Sequence, residues 1–77
     1  MTKNAGGAEL FFVSGLYVEF TYTNWRGETS TRRVMPVSLW FGTTEHHPDP
    51  QWLMDAKDIG KDFALRTFAL KGVRGWA

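Results

Sequence analysis

Polar and apolar residues alternate along most of the chain. "YVEFTYT" (17–23) sets Val18, Phe20 and Tyr22 on one side and Tyr17, Glu19, Thr21 and Thr23 on the other, the period-two signature of a strand with one face toward a core. "NWRGE" (24–28) then supplies Asn and Gly at turn positions, which predicts a hairpin. Extended patterning resumes in "TSTRRVMPVSLWF" (29–41). Pro36 within it cannot donate to a ladder, so it marks an edge, a bulge or a bend. Beyond Pro36, Val37, Leu39 and Phe41 alternate with Ser38 and Trp40, which puts Trp40 on the outward parity. "QWLMDAKD" (51–58) keeps Trp52, Met54 and Ala56 on one parity, and "IGKD" (59–62) reads as a turn. "FALRTFALKGV" (63–73) sets Arg66, Phe68 and Leu70 together, opposite Leu65, Thr67 and Ala69. Short strands at this spacing, joined by turns, predict an all-β fold: a small antiparallel sheet of five strands curling into a barrel.

The start is less regular. "MTKNAGGA" (1–8) is small, polar and glycine-rich, and a flexible N-terminus is expected there. The domain proper then runs over 9–77. "ELFFVSGL" (9–16) is apolar without a clean period, and a short helix ended by Gly15 and a first strand are both open readings.

Composition narrows the class. A chain of 77 residues is one domain, and at this length only about 60% of the unfolded surface leaves water. With no Cys, neither a disulfide nor a thiolate metal site can add stability. Burial must supply it, and four Trp, two Tyr and six Phe offer large rings for the purpose. The net charge of +1 excludes a broad polybasic field. "RGETSTRR" (26–33) and "KGVRGW" (71–76) are nonetheless locally basic, suiting an anionic ligand better than indiscriminate duplex binding. No apolar run approaches the roughly 18 residues of a membrane span, and the first residues lack the pattern of a secretory leader. A soluble, cytoplasmic protein is the expectation.

Candidate chemistry concentrates in "GTTEHHPDP" (42–50). Glu45, His46, His47 and Asp49 are metal-ligating types, but adjacent histidines in an extended chain point to opposite faces. No Cys or further His completes the roughly three or four ligands a zinc site needs. The stretch reads as an exposed loop stiffened by Pro48 and Pro50, binding no metal. With both histidines in that loop, Ser14, Ser30 and Ser38 lack a His–acid partnership, and no phosphate-binding or dinucleotide glycine motif occurs. Asp55 and Asp58 read as solvent-facing. The residues predict neither catalysis nor a cofactor.

Four segments in order resemble the WYL domain: Tyr22 with the Gly27 turn, Arg32-Arg33-Val34-Met35-Pro36, Trp52-Leu53-Met54-Asp55-Ala56, and Arg66-Thr67-Phe68-Ala69-Leu70 followed by Val73. Together they span about residues 16 to 76. Leu53 departs from the Tyr usual in that pattern, and Gly72 stands where an Arg often precedes the final aliphatic. The resemblance implies an SH3/Sm-like small barrel, here a solitary one. It further implies a module that senses anionic ligands, nucleotides or single-stranded nucleic acid among them, through basic residues. Such domains accompany bacterial transcription regulators and phage-defence systems.

On that reading Arg32, Arg33 and Arg66 contact the ligand, with Trp25 and Trp52 as aromatic platform. A charge on an apolar parity costs several kcal/mol if buried and unpaired, so Arg32 and Arg66 are expected at a barrel mouth, and a rim ion pair with Glu28, Glu19 or Asp55 remains an open alternative. Trp52, Met54, Phe20, Leu39, Phe41 and Phe68 are assigned to the core. A second function stays open: a protein-interaction or assembly module, self-associating or docking on a partner through Trp25, Trp40, Trp76 and Arg74.

Overall fold

The predicted hairpin at 24–28 forms, and it is built by one side chain. Asn24 Oδ1 accepts from the backbone N–H of Arg26 and of Glu28, both at 2.9 Å. Asn24 O accepts from Gly27 N–H at 2.9 Å, and Gly27 takes a positive φ of 81° that glycine adopts freely. The hairpin joins β2 (Val18–Thr23) to β3 (Thr29–Gly42), the long strand that organises the molecule.

In the computed structural model, residues 9–13 and 15–75 are described. The remaining strands are β1 (Leu10–Phe11), β4 (Gln51–Asp58), β5 (Ala64–Ala69) and β6 (Val73–Arg74). Short 3-10 turns cover Ile59–Lys61 and Leu70–Gly72. Every pairing is antiparallel, and the order is β5-β4-β3-β2-β6 with β1 also on β3. The all-β expectation therefore stands, with six strands in place of five. The sheet is not closed into a barrel by backbone pairing: β5 and β6 follow one another in the chain but lie at opposite ends of the strand order. Segment 9–16 carries a short strand, β1, and no helix. The expected flexible stretch 1–8 lies outside the described residues.

The bend expected at Pro36 is a β-bulge. Pro36 pairs with Ala56, but Ser38 pairs with Asp55, so Val37 is one residue more than β4 can match. Before it, Val34 and Pro36 share a face with Ala56; after it, Leu39 shares that face with Met54. The bulge also turns the Val37 carbonyl to accept from Phe12 N–H at 2.9 Å, which extends the pairing of β1 with β3.

The main core gathers Phe20, Tyr22, Val34, Met54, Ala56 and Phe68, with Val18, Leu39, Leu70 and Val73 packed at its margin. Phe20, Tyr22 and Phe68 meet edge to face, with centroids 4.9–6.3 Å apart, a favoured arrangement for aromatic quadrupoles. One side chain links β2 to the end strand β5 across the core: the Tyr22 hydroxyl accepts from Ala69 N–H at 3.0 Å. Burial raises the Tyr22 phenol above its ordinary value, against the lowering influence of that bond and of Arg32.

Two core expectations need correction. Trp40 does lie on the face opposite the main core, but that face is also buried there. Trp40 packs with its cross-strand neighbours Leu53 and Ala69 in a second cluster and is 0% exposed. It is not available as an interaction surface. Conversely, Trp52 and Phe41 have the core parity but sit past its end, where the pair stack edge to face at 5.6 Å and Trp52 is 46% exposed. Asp55 and Asp58, expected to face solvent, are both buried. Asp55 accepts from Thr67 Oγ1 at 2.8 Å. Asp58 supports the turn into β5: Oδ1 accepts from Gly60 N–H at 3.0 Å and its carbonyl from Phe63 N–H at 2.9 Å.

Candidate anion-binding cleft

The parity that aligned Arg66 with Phe68, and Arg32 with Val34, carries both arginines onto the face of the main core. There they line one open cleft of about 530 Å³, together with Lys61, Trp25, Tyr22 and Phe68. That volume falls within the range of small-molecule sites. Its chemistry is an aromatic lining with Leu65, crossed by three cationic side chains, and Glu45 is the one acidic residue of the lining among the described residues.

The three cations differ. Arg32 donates from Nη1 to Asp58 Oδ2 at 3.0 Å, and this carboxylate is almost wholly buried. Its pairing partner is thus none of the carboxylates expected from the sequence. Arg32 Nε is buried and lacks a partner among the described residues. Arg66 is exposed on β5 and makes no ion pair among the described residues, and the same holds for Lys61 in the 3-10 turn. Arg66 and Lys61 are therefore the cations free to meet an incoming anion.

Trp25 reaches the cleft because the Asn24 turn fixes its backbone. Its indole lies flat against the imidazole of His46, with centroids 4.4 Å apart and planes within 3°. The guanidinium of Arg26 lies 5.8 Å from the indole centroid, within cation–π range. His46 is brought there by a closed turn in which Thr44 and His47 exchange backbone hydrogen bonds of 3.0 and 3.2 Å. Thr44 Oγ1 accepts a further bond from His47 N–H at 3.1 Å. Residues 43–50 do form the loop between β3 and β4, but His47 is buried rather than exposed. Burial holds its imidazole below the ordinary value, and the charges of Lys71 and His46 act in the same direction. Among the described residues, no group of three His, Cys, Asp or Glu side chains converges as a metal site would require.

Of the ligand residues expected from the sequence, Arg32, Arg66 and Trp25 meet in this cleft and two do not. Arg33 points to the other face, where it pairs with its cross-strand neighbour Glu19 at 3.1 Å in solvent. Trp52 lies at the far end of β4, outside the lining. Arg74 is exposed on β6, and Trp76 lies outside the described residues. Lys61 and His46 were missed. Lys61 sat in a stretch read only as a turn, and nothing in the local pattern of 43–50 signals that the loop folds against the β2–β3 hairpin.

No family model matches the chain, and no curated protein or solved structure matches it. Among the described residues, no helix is long and apolar enough to cross a membrane.

Proposed function

We propose that the chain is a non-catalytic binding module for an anionic ligand, a nucleotide or single-stranded nucleic acid, working in a regulatory or defence-related cytoplasmic setting. The observation that supports this most is the meeting of Arg66 and Lys61, unpaired among the described residues, with the Trp25–His46 stack in one cleft. A guanidinium forks onto two phosphate oxygens, and an ammonium adds a second point charge. An indole offers a face to any base, and such stacking contributes about 1–3 kcal/mol per base. The WYL-like succession of motifs, which contributes Arg32, Arg66 and Phe68 to this face, supports the same reading.

The test is isothermal titration of the full chain with nucleoside mono-, di- and triphosphates and with short single-stranded DNA and RNA, at two salt concentrations. Binding that weakens with salt and is lost in Trp25→Ala would support the reading. Absence of binding to every one of these ligands would remove it.

A further inference from the structure

The segment that precedes β2 is tied to β3 by backbone pairing. β1 pairs along one edge with β3, through Leu10 with Leu39 and Phe11 with Ser38, and Phe12 N–H continues the contact to Val37. Its other edge has no partner strand among the described residues. The side chains are apolar and largely in solvent: Phe11 is 73% and Val13 79% exposed, while Leu10, Phe12, Leu16 and Tyr17 lie between 36% and 57%. Gly15, at φ 87°, ends the extended run, and Leu16 N–H reaches Val13 O at 3.4 Å.

Monomeric proteins seldom expose contiguous apolar patches beyond a few hundred Å². For side chains of roughly 150–250 Å² each, the exposures here sum to on the order of 700 Å², close to the ~800 Å² per partner of a standard interface. Residues 10–18 read "LFFVSGLYV", without a single charge. Native edge strands are usually protected by charge, proline or cover, and Leu10–Val13 carries neither charge nor proline. An antiparallel pairing of this segment with itself opposes no like charges and satisfies the open backbone groups of both chains.

We propose that β1 is the centre of a homodimer interface, its outer edge pairing antiparallel with β1 of a second copy about a two-fold axis near Phe12. In that register Phe11 of one chain lies opposite Val13 of the other. The pairing joins two sheets into one and covers the apolar strip from both sides, as an isologous contact requires.

Sedimentation velocity of the full chain, from low micromolar to several hundred micromolar, decides it. The expected species is a dimer of twice 8.8 kDa that dissociates on dilution. Phe11→Glu and Val13→Lys should each weaken the dimer roughly tenfold or more by setting a charge in an apolar contact. The double variant should recover most of the loss, because the two new charges face each other across the pair. Both side chains are exposed, so circular dichroism should be unchanged; if a charged variant does not fold, Phe11→Ser replaces it under the same requirement. A wild-type chain that is monomeric throughout overturns the proposal. So does a dimer indifferent to these substitutions, or a mass that climbs without a plateau.

Discussion

Arg32 and Asp58 pair at 3.0 Å, with the carboxylate 2% and the guanidinium 23% exposed. The pair joins β3 to the end of β4, where Asp58 also supports the turn into β5. Removing one partner of a buried pair leaves the other charge uncompensated, at about 3–5 kcal/mol. Arg32→Ala should fall at the low end, near ~3 kcal/mol, because the guanidinium keeps some contact with water. At roughly 4–8 °C per kcal/mol for a domain of this size, thermal denaturation will show a large drop. An unchanged melting temperature would mean the pair contributes nothing.

Arg66→Ala should behave in the opposite way. The side chain is exposed and pairs with nothing among the described residues, so stability should stay within about 0.5 kcal/mol. A charge-assisted hydrogen bond contributes about 1.5–3 kcal/mol, so affinity for a phosphate ligand should drop roughly tenfold or more. Arg66→Lys should restore part of it, since an ammonium cannot fork. Titration calorimetry beside a melting curve separates the two arginines: one loses stability, the other affinity.

Much of this arrangement was legible in the sequence. The alternation in "VEFTYT" and the turn with Asn24 and Gly27 gave β2 and its hairpin, and the shared parity of Arg66 with Phe68 put one cation of the cleft on the core-side face. Pro36 marked the position of the bulge. What the pattern left out is tertiary. Period two assigns Trp40 and Phe41 to opposite faces but does not say that the outer face is covered at Trp40 and that the inner one runs out at Phe41. Nor does local spacing show that the 43–50 loop folds back to lay His46 on Trp25, or that Asp58, which continues the parity of Met54 and Ala56, pairs with Arg32.

His47 should make stability depend on pH. Its folded-state pKa lies below the ordinary value of 6.5, chiefly because it is buried. The unfolded chain therefore binds the proton more readily, so stability rises with pH across the gap. The contribution is complete above about 6.5 and is lost as pH falls through that value toward the depressed folded pKa. Melting temperatures compared between neutral pH and about pH 5 should fall less in His47→Gln than in the wild type. Equal slopes in the two proteins would show that other groups govern the change.

Gly72 should tolerate no side chain. A Cβ there would stand 2.4 Å from the Thr23 carbonyl oxygen and 3.0 Å from Tyr22 Cε1. The first of these is backbone in β2, held by pairing to β3, and cannot swing aside. Gly72→Ala should cost about 1–3 kcal/mol through overpacking, read by chemical denaturation. A variant as stable as the wild type would show that the 3-10 turn can move away from β2.

The extra residue at Val37 shifts the phase of a single strand. Up to Pro36 the even-numbered positions of β3 point to the face of the main core; from Leu39 the odd ones do, and Trp40 on the even parity serves the second cluster. One length of backbone thereby supplies two separate interiors. Removing Val37 would leave Ser38 opposite Asp55 and Leu39 opposite Met54, so every later side chain would keep its face; pairing Val37 itself with Asp55 would instead exchange the roles of Ser38 and Leu39, and of Trp40 and Phe41. Across diverged copies of this chain, a single-residue change of length within β3 should therefore fall at the bulge, while the others collect in the turns.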